Sequence, residues 1–165
     1  MRSSQRPKRL RRKNNDMICA GQCHCGKLKA SFETQKTPQE LGVRTCSCDF
    51  CRRVGAINIS DPDGAVVIDA KADDVVRYRF ALRTADFLIC KACSVYIAAV
   101  TGEGENIRST INVAGLRMTE FLGIEEQKMQ YGAEGAVARV ARRAEKWTPT
   151  RFTDKDLNSS HFGPH

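Results

Sequence analysis

The chain has 165 residues, 41% of them hydrophobic and only 7% aromatic, with a net charge of +8. That length and apolar content provide for one domain around one modest core. No run approaches the roughly 20 apolar residues of a membrane-spanning helix, and no apolar segment follows the basic first residues, so a cytoplasmic protein is expected rather than a membrane or secreted one.

The first feature in chain order is the basic run. Between Met1 and Asp16, seven lysines and arginines stand against Asp16 alone, so most of the net charge lies there. A run of this kind without periodic apolar residues reads as a disordered tail over 1–16, able to touch nucleic acid or an acidic surface only weakly. Met17, directly before Ile18-Cys19-Ala20-Gly21, offers a second start site that would leave the run outside the protein.

From 17 to 152 the pattern is that of a domain. Lys27 to Glu33 alternates, with Leu28, Ala30 and Phe32 on one face, which predicts a half-buried strand. Val43 to Cys46, Ala56 to Ser60, Ala65 to Asp69 and Val75 to Phe80 are further short strands, and Asp61-Pro62-Asp63-Gly64 is a turn between two of them. Asp86 to Ile89 enters Cys90-Lys91-Ala92-Cys93 and Val95 to Val100 leaves it, which puts this cysteine pair at the tip of a hairpin. Ile107 to Val113 alternates again. The spacing is that of a β-meander or sandwich.

Near the end the period changes. Ala133 to Trp147 reads as a short C-terminal helix, with Val137, Val140, Ala141, Ala144 and Trp147 on an apolar face and Arg139, Arg142, Arg143 and Lys146 on a solvated one, and Pro149 stops it. Residues 153–165 are polar and read as a loose tail. There is no internal repeat.

Eight cysteines in a chain without a secretory pattern point to reduced thiols and metal rather than disulfides. Cys23 and Cys25 form C-x-C, Cys46, Cys48 and Cys51 form C-x-C-x-x-C, and Cys90 and Cys93 form C-x-x-C; Cys19 stands apart. Such spacings bring sulfurs onto single tight turns, within reach of one Zn²⁺ at about 2.3 Å per Zn–S bond. Two separated pairs, such as Cys23/Cys25 and Cys90/Cys93, supply the four ligands of a structural zinc. Cys46, Cys48 and Cys51 supply three, and a fourth position left free is what a catalytic zinc keeps for water or substrate. Arg52 and Arg53 stand beside that cluster, either as ordinary exposed arginines or as an offset to its negative charge. His24, His161 and His165 are not expected to be ligands, and Cys19, which could complete either site, reads rather as a small buried residue or free thiol. Asp49 reads as a solvated or capping carboxylate, so no general acid or base is assigned.

Gly21-Gln22-Cys23-His24-Cys25-Gly26, Cys46-Ser47-Cys48-Asp49-Phe50-Cys51-Arg52-Arg53-Val54-Gly55-Ala56, Cys90-Lys91-Ala92-Cys93 and Ile111-Asn112-Val113 together resemble the ordered signature of glutathione-dependent formaldehyde-activating enzymes and their centromere-protein-V relatives. The resemblance covers Ile18 to Leu116. It implies a mainly β, Mss4-like fold of zinc-pinned sheets, and two zinc ions. In that family pattern Cys23, Cys25, Cys90 and Cys93 hold the structural ion, and Cys46, Cys48 and Cys51 the catalytic one. Ser47 stands where members commonly carry His, and Ser94 where they carry Gly.

The chemistry expected from this resemblance and the open site is that of a carbon–sulfur lyase. A thiol such as glutathione, ionised well below its free pKa of about 8.5, adds to a small aldehyde such as formaldehyde, or the adduct is cleaved. The competing expectation is a zinc-stabilised binding module whose basic tail and arginine-rich helix hold nucleic acid or chromatin. A shortage of aromatic residues for base stacking weighs against it. A thiol redox protein is a third and weaker expectation, because no βαβ pattern surrounds Cys90.

Overall fold

Leu28, Ala30 and Phe32 are buried while Lys29 and Glu33 are exposed, so the alternation in the sequence is the pleat of a strand. The computed structural model describes residues 16–164; the basic run, apart from Asp16, and His165 lie outside the described residues. The strands in chain order are β1 (Met17–Gln22), β2 (Lys29–Thr34), β3 (Val43–Cys46), β4 (Asn58–Ile59), β5 (Ala65–Asp69) and β6 (Val75–Tyr78). They continue with β7 (Asp86–Cys90), β8 (Tyr96–Glu103), β9 (Arg108–Asn112), β10 (Glu126–Met129), β11 (Thr148–Phe152) and β12 (His161–Phe162). Five short helices lie between them: α1 (Pro38–Leu41), α2 (Asp49–Arg53), α3 (Val113–Leu116), α4 (Ala136–Lys146) and α5 (Lys155–Asn158).

The fold is mainly β, with the strands joined in one mixed sheet whose three arms meet on β9. One arm runs β1-β2-β5-β11, a second β10-β3-β4, and the third β6-β7-β8 with β12 paired to the end of β8. The expected meander holds only locally. β10 pairs with β3 and β11 with β5, both parallel, and such pairings join segments about 80 residues apart that local alternation does not reveal.

Apolar burial is divided. The main core gathers residues from all three arms and from β9, including Phe32, Val43, Ile59, Ile68, Leu88, Ile97 and Ile111. A second, smaller cluster holds Cys51, Ala56, Ala85, Tyr96, Ala99 and Trp147. It lies under the three-cysteine motif, where one core was expected.

Two expectations need correction. Residues after Phe152 are not a loose tail, because Leu157 and Phe162 are buried, Phe162 stacks on Phe152 with ring centroids 5.3 Å apart, and β12 pairs with β8. Buried Asp86 fixes this segment. It accepts from the Gly163 backbone N–H at 3.0 Å and from Arg77 and Arg79 at 2.5 and 2.6 Å. The second correction concerns α4. Val137 is 86% exposed and Ala141 and Ala144 face solvent, whereas Arg143 is buried and Arg139 and Arg142 are partly so. The helix packs by its Arg139–Arg143–Trp147 stripe, spaced i, i+4, i+8, with Val140 partly buried and its alanines and Val137 turned outward.

Candidate metal centres and cavity

The first cysteine group joins two turns. After β1 the chain reverses with the Cys23 N–H donating to Leu28 O at 2.8 Å and Gly26 N–H to Cys23 O at 3.0 Å; Gly26 has φ +78°, a left-handed conformation that suits glycine. At the tip of the β7–β8 hairpin, Ser94 N–H donates to Cys90 O at 2.8 Å with φ +61°. Ser94 takes without glycine the left-handed conformation that glycine adopts freely. Between the turns, Cys25 Sγ lies 3.7 Å from Cys23 Sγ and 3.5 Å from Cys90 Sγ, and all four sulfurs lie within 4.8 Å of one another. Tetrahedral coordination at about 2.3 Å per bond sets sulfurs roughly 3.8 Å apart, so this donor set fits a thiolate-bound metal ion. The cysteines are unbridged. The Leu28 N–H donates to Cys23 Sγ at 3.3 Å. Burial pushes Cys90 up to about 12. It opposes ionisation of Cys93 too, yet hydrogen bonds from the Cys25 and Val95 backbone hold that thiol down to about 6.

The second group is built on β3 and the start of α2. Cys46 ends the strand and Cys48 caps the helix, accepting from Cys51 N–H at 3.4 Å, while the Cys48 N–H points to Cys46 Sγ at 3.5 Å. The three sulfurs lie within 4.8 Å of one another and can also hold a metal ion. A hydrogen bond from Cys51 holds Cys46 down to about 5, with Arg139 helping; the same bond pushes Cys51 up. Phe50 anchors the helix by lying 5.0 to 5.7 Å from the rings of Tyr78, Phe80, Phe87 and Tyr96.

What distinguishes this group is its setting. Cys46, Cys48 and Cys51 line a cavity of about 1000 Å³, at the upper end of the range for small-molecule sites. Its apolar wall includes Phe80, Leu82, Phe87, Tyr96 and Trp147. Its polar wall is cationic, with Arg44, Arg139, Arg142, Arg143 and Lys146 against the single carboxylate of Glu134. Arg142 grips Glu134 through both oxygens at 2.9 Å and lies 3.8 Å over the Tyr131 ring. Arg44 donates to Ser60 Oγ at 2.5 Å, and Arg143 donates to Thr84 Oγ1 at 2.7 Å while resting on the Trp147 ring.

The structure brings together the seven cysteines in the two groups that the family resemblance implies. It also leaves Cys19 out, which is buried in β1 with its thiol pushed up to about 11 by burial and by Glu120. His24 is exposed and belongs to neither group, and His161 pairs with Glu103 at 3.2 Å. Arg52 and Arg53 face solvent, and Arg53 is tied to Asp49 at 2.7 Å on the surface. The cations beside the three-cysteine group instead come from β3 and α4, outside the short motif. Asn112 earns its place by packing: it is buried, accepts from Ile57 N–H at 3.0 Å and donates to Tyr96 O at 2.9 Å, tying β4 to β8 behind the cavity. Burial keeps the Tyr96 phenol neutral, well above its usual pKa.

Among the described residues, no helix is long and apolar enough to cross a membrane. No protein-family model and no curated protein matches the chain. Among solved structures, the crystal structure of a Rhodobacter sphaeroides protein, a structural-genomics target, is 26% identical; the match covers 66% of this chain and 99% of that one with a TM-score of 0.48.

Proposed function

We propose that this protein is a zinc-dependent carbon–sulfur lyase-type enzyme, similar to S-(hydroxymethyl)glutathione synthase, of the glutathione-dependent formaldehyde-activating and centromere-protein-V class with its Mss4-like fold. The observation that carries this reading is the position of Cys46, Cys48 and Cys51: three sulfurs at one point on the wall of a cavity large enough for a tripeptide thiol. Cys23, Cys25, Cys90 and Cys93 would hold the structural ion and the three cavity cysteines the reactive one.

When bound there, zinc supplies a Lewis acid that keeps an incoming thiol ionised and polarises a carbonyl. The chain's own residues set up the rest. The aromatic wall makes one side of the space beside the sulfurs apolar. Arg139 faces Cys46 and favours negative charge there. In the reaction the thiolate sulfur forms a bond to the aldehyde carbon, and the carbonyl oxygen takes up a proton to become a hydroxyl. In reverse that proton leaves and the C–S bond breaks.

The binding-module reading has less support. The α4 arginines line the cavity, and the helix turns Ala136, Val137, Ala138, Ala141 and Ala144 outward, which is a poor surface for a phosphate backbone.

The test is to incubate the protein with glutathione and ¹³C-formaldehyde and follow adduct formation by exchange NMR. Wild type should accelerate it, and Cys46→Ser should reduce the rate to the uncatalysed one while retaining a cooperative melt. Undiminished catalysis by Cys46→Ser would refute the assignment.

A further inference from the structure

Apart from the influence of Arg139 on Cys46, the thiol chemistry does not use the cationic wall of the cavity. Four guanidinium groups line it, and only Glu134 opposes them. Glu134 is occupied by Arg142, and its nearer oxygen to Arg139 Nε stands 3.5 Å away. Among the described residues, Arg44 and Arg143 have no carboxylate partner. Arg143 is only 8% exposed, and its Nε, like that of Arg139, is buried without a hydrogen-bond partner. An unpaired charge of that depth is costly, and the structure gives it only the Thr84 hydroxyl and the Trp147 ring as company. Burial, followed by the like charges of Arg142 and Arg139, brings Arg143 down to about 10, and burial also lowers Arg44. Both stay protonated at neutral pH.

These donors are held in place before any ligand arrives. Arg139 donates to Tyr131 O at 2.6 Å and to Glu134 O at 3.2 Å, Ser60 Oγ passes from Arg44 to Lys146 O at 2.9 Å, and Arg143 is fixed by Thr84 and Trp147. Fixed, buried guanidinium groups with free N–H donors are suited to oxyanions, which they can grip by two parallel hydrogen bonds. Four guanidinium groups share one carboxylate, which leaves three positive charges uncompensated and suits a ligand that carries more than one negative charge. The apolar wall formed by Phe80, Leu82 and Trp147 leaves room for an uncharged body beside it.

From this we infer that Arg44, Arg139 and Arg143 are the receptor for a dianionic group, a phosphate or a pair of carboxylates, on the molecule that enters the three-cysteine cavity. The inference deepens the functional reading by naming the substrate class, and only the word substrate rests on that reading. The receptor belongs to the stretch after β9 and to β3, not to the cysteine motifs, so it can set specificity independently of them.

The test is isothermal titration of the intact zinc-loaded protein with inorganic phosphate and, separately, with succinate. Binding of either in the millimolar range or tighter, weakening as sodium chloride is raised, is expected. Binding of phosphate alone assigns a phosphate, of succinate alone a carboxylate pair, and of both the shared oxyanion chemistry. Arg143→Met should weaken binding by about tenfold or more, with Arg143→Lys in between because it keeps the charge and loses the fork. Arg44→Met provides the same reading should Arg143→Met fail to melt cooperatively. Arg52→Met, at an exposed position outside the cavity, should leave binding unchanged. Cys46→Ser should keep anion binding while losing thiol–aldehyde chemistry. Absence of binding of both probes to wild type, or equal affinity in wild type and Arg44→Met, would overturn the inference and leave the cysteine chemistry standing.

Discussion

Cys23, Cys25, Cys90 and Cys93 close on one another between two turns 65 residues apart, whereas Cys46, Cys48 and Cys51 sit on a cavity wall among cations and aromatic rings. The first group offers four sulfurs, enough for a tetrahedral metal ion, and brings the β1–β2 hairpin against the β7–β8 hairpin. The second is a ligand short and opens onto space that a small molecule can fill. On the proposed reading the same side chain serves as a fastener or as part of a site according to how many sulfurs meet and what lies beside them.

The comparison can be broken most severely at the fastener. Cys90→Ser removes one sulfur from a set whose metal would contribute on the order of 10 kcal/mol of apparent binding energy. That is comparable to the whole stability of a domain, about 5–15 kcal/mol. The variant is expected to show no cooperative thermal transition by near-UV circular dichroism; a melt like that of wild type would place the fastening elsewhere. Chelator should separate the two groups in time. Metal should leave in two phases, the first abolishing thiol–aldehyde chemistry with the circular dichroism unchanged and the second unfolding the chain, as read by a colorimetric zinc reporter. A single phase would mean the two groups are equivalent.

Smaller changes sharpen the contrast between a wall held by metal and one held by hydrogen bonds. Asn112→Ala leaves the Ile57 N–H and the Tyr96 carbonyl without their partner behind the cavity. Denaturant unfolding is expected to show a loss of about 2–3 kcal/mol. Ser94→Gly, in contrast, relieves a left-handed φ of +61° at the fastener and should gain about 0.5–1 kcal/mol. A loss at Ser94→Gly would mean that the serine side chain does something other than tolerate that turn.

Much of this was legible in the sequence, and the reasons are local. Ligand spacings of two or three residues force sulfurs together within Cys23/Cys25, Cys46/Cys48/Cys51 and Cys90/Cys93 whatever the rest of the chain does, whereas the meeting of the first and last pairs, 65 residues apart, came from the family resemblance and not from spacing. Alternation in Leu28, Ala30 and Phe32, and the Asp61–Gly64 turn, likewise report on immediate neighbours. What escaped depends on tertiary closure. The parallel pairs β3–β10 and β5–β11 have no short-range signal, and Phe162 at the chain's end gains burial only against Phe152 and β8. The orientation of α4 was misread because its small apolar residues outnumber its cations on hydropathy. The available clue was the Arg139–Arg143–Trp147 spacing, which puts two arginines on the same face as the helix's one large anchor. A rule of hydrophobic burial fails there because the buried face belongs to a cavity rather than to the core.

The most direct test of the difference between the two cysteine groups is X-ray absorption at the zinc edge of the fully loaded protein, with and without a small thiol. Four sulfurs at one ion and three at the other give an average of about 3.5 sulfurs per zinc, and thiol should raise it to about 4. An average of about 4 before any thiol is added, or no change on adding it, would contradict an open site at Cys46, Cys48 and Cys51.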